Sequence, residues 1–147
     1  MTKVEIIRGT NPSISVKLKG LVLAPVFDET VDSETVTRHS YFTIRHNPGQ
    51  GTLDPDKGEL QIEMDSTGHV TDDMANDFYI SNITEDGEAV GIAKVELSRT
   101  YTKTLHDHEY LFQFNLIDDD HNMFPVPEKP MLLIVSPNVV DLTGEES

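Results

Sequence analysis

The chain has 147 residues, of which 37% are hydrophobic and 7% aromatic, enough for one domain with a core of its own. It carries 26 acidic against 11 basic side chains, a formal net charge of −15, which argues against direct nucleic-acid binding through clustered Lys and Arg. It has no cysteine, which excludes disulfides, thiolate metal sites and a cysteine nucleophile.

In chain order, Val4 to Ile7 is a short apolar start closed by Gly9, and Asn11-Pro12 is a turn signal. Lys3, Glu5 and Arg8 interrupt any hydrophobic stretch of signal-peptide length. The expected location is therefore a cytoplasm or a virion, with no signal peptide. No apolar run reaches the roughly 18 residues that would span a bilayer as a helix, so no membrane partner is expected. Ile14, Val16 and Leu18 alternate with Ser13, Ser15, Lys17 and Lys19, a half-buried strand. Leu21 to Phe27 is a second apolar run, but Pro25 cannot donate to a ladder and predicts an edge, a bulge or the end of pairing.

Asp28 to Glu34 reads as an acidic loop. Thr35 to Arg45, rich in β-branched and aromatic residues, reads as a strand with Phe42 and Ile44 inward and Tyr41, Thr43 and Arg45 opposite. His46 to Gly58, with two prolines and three glycines, is the longest loop candidate and is expected to be exposed and mobile. Leu60, Ile62 and Met64 face inward on the next strand, and Ser66-Thr67-Gly68 turns the chain. Thr71-Asp72-Asp73-Met74 has the cap and first-turn acids of a helix start, which predicts a turn or two of helix before Phe78-Tyr79-Ile80. Thr84-Glu85-Asp86-Gly87 is a hairpin turn, after which Ala93, Val95 and Leu97 line an inward face.

The longest apolar-aromatic run in the middle of the chain is His108 to Ile117. Tyr110, Phe112, Phe114 and Leu116 fall on one face, and Leu111, Gln113, Asn115 and Ile117 on the other. One face is wholly apolar and the other mixed, as expected of a central strand with one side on the core. Asp118 to Pro130 reads as a loop with three prolines, Met131 to Val135 as a buried closing strand, and 141–147 as a polar tail.

Eight or nine short strands and at most one short helix define the expected fold. It is an all-β, single-domain β-sandwich over residues 1–140, Ig-like or jelly-roll-like.

Two clusters could hold a metal. In an extended chain His106 and His108 project to one face, and two histidines at this spacing resemble the opening of a cupin metal motif. The carboxylate and glycine that motif needs do not follow, and solvated histidines before a core strand are the competing reading. Asp118, Asp119 and Asp120 offer hard oxygens of the kind calcium takes. They lack the EF-hand spacing and glycine, would need a distant carboxylate such as Asp65 or Glu85, and equally suit a turn. No GxGxxG, phosphate loop or G-x-S-x-G turn is present, so no catalytic residue and no cofactor is expected.

The opening VEIIRGTNPSISVKLKG resembles the N-terminal strands of small β-domains from tailed-phage virions, such as baseplate or head-decorating proteins. The resemblance implies a non-enzymatic structural or assembly role through protein–protein contact, self-association included, and carries no site residue with it. The acidity leaves three readings open: a soluble, self-repelling surface, adaptation to high salt, or mimicry of a nucleic-acid backbone to inhibit a basic protein. A metal- or calcium-binding module is a further alternative.

Overall fold

The computed structural model describes residues 3–47, 59–106 and 108–138. The strands follow in the order β1 (Lys3–Ile7), β2 (Ser13–Lys19), β3 (Leu23–Ala24), β4 (Val26–Val31), β5 (Glu34–His39), β6 (Tyr41–His46), β7 (Leu60–Glu63), β8 (His69–Thr71), β9 (Asp77–Glu85) and β10 (Glu88–Glu96). A single helical turn, α1 (Arg99–Thr102), precedes β11 (Glu109–Asp118) and β12 (Met123–Ser136). One sheet has the order β1-β12-β11-β6-β7, with β3 pairing the end of β11; the second has the order β2-β10-β9-β8. Among the described residues β4 and β5 pair only with each other, as a two-stranded ribbon. The fold is an all-β sandwich.

The alternating residues of β11 fill the space between the sheets. Tyr110, Phe112, Phe114 and Leu116 are buried, and Phe42 and Ile44 of β6 lie beside them. The Phe114 ring lies 4.8 Å from that of Phe42 in the same sheet and 6.0 Å from that of Phe78 in the other, so it bridges the layers. Leu60, Ile62 and Met64 at one margin, and Ala93 and Val95 on β10 with Leu97 just after it, close the core as their period-2 spacing predicts. Ile117, expected on the mixed face of β11, is also fully buried, at the point where β3 pairs with it.

Pro25 separates β3, in the first sheet, from β4, in the ribbon, and so ends pairing as expected. The Asp86-Gly87 hairpin forms with both residues at positive φ, 52° and 78°.

Four expectations are corrected. Asp28 to Glu34 is not a loop: it is most of β4 and a tight turn, with Asp32 and Ser33 at φ 51° and 69°. Short polar residues tolerate this left-handed backbone, so Asp-Ser closes a hairpin without glycine. Thr35 to Arg45 is two strands, because the chain leaves the ribbon at the buried Ser40 and enters the first sheet.

Thr71-Asp72-Asp73-Met74 starts no helix. The Asp72 carboxylate accepts the N–H groups of Met74 (3.0 Å) and Asn76 (2.9 Å), and Ala75 turns at φ 66°. The Asp72 side chain, expected in the first turn of a helix, closes a loop instead. The one helical turn lies at Arg99–Thr102, where the Ser98 hydroxyl accepts the Tyr101 N–H. Finally, Asp118 to Pro130 is a short turn followed by the first half of β12, with the prolines inside the strand. Twelve strands among the described residues therefore exceed the eight or nine expected. The His46–Gly58 loop beyond Asn47 and the 141–147 tail lie outside the described residues.

Candidate functional site

The outward face of the first sheet forms a shallow groove. Strand alternation puts Tyr41, Thr43 and Arg45 of β6 on the side away from Phe42 and Ile44. Pairing of β6 with β11 sets Asn115 opposite Tyr41, Gln113 opposite Thr43 and Leu111 opposite Arg45. These six residues line a depression of about 320 Å³. Pro130 forms part of its lip, because the ladder between β11 and β12 slips there. Phe112 pairs with Met131 but Phe114 pairs with Val126, which leaves 127–130 looped out. The Gln113 Nε2 donates to the carbonyls of Pro127 (2.9 Å) and Glu128 (3.4 Å) and holds this loop.

Among the described residues no carboxylate lines the groove, although the chain as a whole is strongly acidic. Arg45 approaches Glu59 at 3.9 Å on the exposed side. Thr43 is only 8% exposed. Its hydroxyl, the Tyr41 hydroxyl and the Asn115 amide make no hydrogen bond among the described residues.

The predicted aspartate cluster exists as a turn. One carboxylate oxygen from each of Asp118, Asp119 and Asp120 lies within 4.8 Å of the others. Asp118 already accepts the N–H groups of Asp120 and Asn122, both at 2.9 Å, and the Asn122 amide at 3.5 Å. The Asn122 N–H is the main cause that holds the Asp118 carboxyl below its ordinary pKa. The turn places His121 at φ 67° with its ring stacked on Phe27 of the ribbon, centroids 4.8 Å apart. The Asp118 side chain thus holds a turn that anchors the ribbon.

The two histidines do not extend along one strand. His106 lies in the coil after α1, where its carbonyl accepts from Arg8 at 3.2 Å. His108 precedes β11, and its Nδ1 donates to the Val135 carbonyl at 3.1 Å. Ten residues of β11 separate this end from Asp118, about 30 Å at the usual rise, so one ion cannot join the two clusters. Among the described residues the aspartates form the only group of three or more such ligands.

The ribbon is the third feature. Its base is held by the Phe27–His121 stack and by His39, whose Nδ1 lies 2.7 Å from the Met64 carbonyl. Arg38 pairs with Glu29 at 2.9 Å across it, and the Thr37 hydroxyl donates to Asp28 at 2.8 Å. Towards the tip the side chains are exposed, Val31 at 39%. Elsewhere, β1 and β7 edge the first sheet, β2 and β8 edge the second, and Ile7 at the end of β1 is 49% exposed. No helix among the described residues is long and apolar enough to cross a membrane.

The groove residues were assigned to outward faces by sequence, but nothing in the spacing marks β6 and β11 as neighbours. Comparison with known proteins adds no parallel: no family model, no curated protein and no solved structure matches the chain.

Proposed function

We propose that this protein is a non-enzymatic structural or assembly module that works by protein–protein contact. The observation that carries this is the β4–β5 ribbon, which pairs with neither sheet and exposes its outer half. A two-stranded ribbon is marginal in water on its own, and a covering partner would supply the packing that its own domain does not. The ribbon carries Asp28, Glu29, Asp32 and Glu34 against Arg38, so it suits a basic surface better than a second copy of itself. Open sheet edges offer a further mode of contact through backbone hydrogen bonds. The resemblance of VEIIRGTNPSISVKLKG to small β-domains of tailed-phage virions supports a place in such a particle.

The test replaces residues 28–37 by a two-residue Asn-Gly turn and compares this variant with the wild type. Light scattering would report self-association, and co-purification from the source cells with mass spectrometry would report other partners. The expected result is a stoichiometric partner or oligomer that the shortened variant, still folded, loses. A wild type that is monomeric and partner-free, or a partner retained equally by both, would overturn the proposal.

A further inference from the structure

We infer that the groove on the first sheet is a binding site for a neutral, polyhydroxylated ligand, the end of an oligosaccharide. This goes beyond the assembly role and uses a different surface from the ribbon.

The charge of the lining comes first. On a chain of net charge −15, a groove lined by Tyr41, Thr43, Gln113 and Asn115, with no carboxylate among the described residues, is distinct in its charge. It offers nothing to a metal cation or to a basic peptide. Its one charged group, Arg45, leans towards Glu59.

The second observation is Thr43. Its side chain is more than nine-tenths buried, lines the groove and makes no hydrogen bond among the described residues. Among the described residues the Tyr101 hydroxyl is the one buried side-chain polar atom without a partner, so the Thr43 oxygen is in contact with solvent in the groove and open to a hydrogen bond from what enters it. The Tyr41 hydroxyl and Asn115 amide add donors and acceptors that no described residue uses. Gln113 spends its N–H groups on the loop at 127–130, which leaves its Oε1 as an acceptor in a fixed place.

The backbone argues against an extended peptide. β6 is paired with β11 and β7, and β11 with β6 and β12, so neither strand has a free edge at the groove. A peptide could not add as a strand there, and recognition must pass through side chains. Hydroxyls and amides on a rigid sheet, with an aromatic ring beside them, match the alternating hydroxyl and C–H faces of a sugar ring. The volume is near the low end for ligand pockets, which run from about 300 Å³, and suits one end of a chain rather than an enclosed molecule.

The experiment applies the labelled full-length protein to a broad array of immobilised plant, fungal and bacterial oligosaccharides, with a peptide array alongside. Hits would be titrated by calorimetry against wild type, Thr43→Val and Asn115→Ala. Thr43→Val keeps the shape and strand preference of the residue, and thermal unfolding would confirm that it folds. The expected result is a set of related neutral glycans whose affinity falls about tenfold or more in each variant, the size of one lost hydrogen bond to a buried group. No binding across the glycan array would overturn the inference. So would glycan binding that both variants leave unchanged, or binding confined to peptides. Any of these leaves the ribbon's role intact, because that role is read by co-purification with a different variant.

Discussion

β11 and the β4–β5 ribbon are both regular antiparallel structure, yet they are held in opposite ways. Every second residue of β11 is an aromatic or aliphatic side chain with little or no exposure, packed against two sheets. The ribbon has the same backbone ladder, but its side chains are half-buried at the base and exposed at the tip. Backbone hydrogen bonds alone contribute modestly to stability, because the unfolded chain makes them with water. The difference between the two regions is therefore apolar burial. It separates a strand the fold cannot do without from one that the fold can lend to another task.

Removing core volume is the strongest way to break the contrast. Phe114→Ala should cost about 3–5 kcal/mol, the range for large-to-small changes in a packed core. Denaturant unfolding measures it, and a loss below about 1 kcal/mol would mean that Phe114 does not bridge the sheets. Adding volume where the layers approach closely is next. A Cβ on Gly91 would lie 2.6 Å from Leu23 Cγ and 3.1 Å from the Leu21 carbonyl oxygen. Gly91→Ala should destabilise by about 1–3 kcal/mol through overpacking, by the same measurement.

Tyr101 tests polarity inside the core. Its hydroxyl is buried without a hydrogen-bond partner among the described residues, and burial pushes its pKa above the ordinary value. Tyr101→Phe should leave stability unchanged or raise it by up to about 1 kcal/mol, since it removes an unsatisfied group. A clear loss would show that the hydroxyl is bonded through water. On the ribbon, Val31→Thr should fall within about 0.5 kcal/mol of wild type, as exposed substitutions do. A larger loss would mean that the tip packs on the domain.

The smallest effect is one of pH. The Asp118 carboxyl has its pKa lowered in the folded state from the ordinary 3.8, chiefly by the Asn122 N–H. Its contribution is then present above the unfolded value and is lost as pH falls through the folded one. Asp118→Asn removes the titration but keeps an acceptor oxygen. The wild-type advantage over this variant should be constant near neutrality and shrink only below about pH 3.8, followed by thermal melts across pH.

The inward faces were legible residue by residue. Phe42, Ile44, Leu60, Ile62, Met64, Ala93, Val95, Phe112 and Phe114 are buried as their alternation predicts, because a strand has only two faces and water decides between them. The outward placement of Tyr41, Thr43, Arg45, Gln113 and Asn115 was legible for the same reason. Local polar side chains misled where they have two uses: Asp72, expected in the first turn of a helix, closes a loop instead, while Asp118 also holds the turn that carries the aspartate cluster. The hairpin in 28–34 and the proline-containing half of β12 were hidden, since acidic residues have low strand propensity and prolines in a strand fit only at edges or where pairing slips. What the sequence alone determined is which side of each strand meets the core. Which strands are neighbours was decided only in three dimensions. That choice sets Thr43 beside Gln113, makes the groove, and leaves the ribbon outside both sheets, because pairing joins residues up to about 130 positions apart that no local pattern connects.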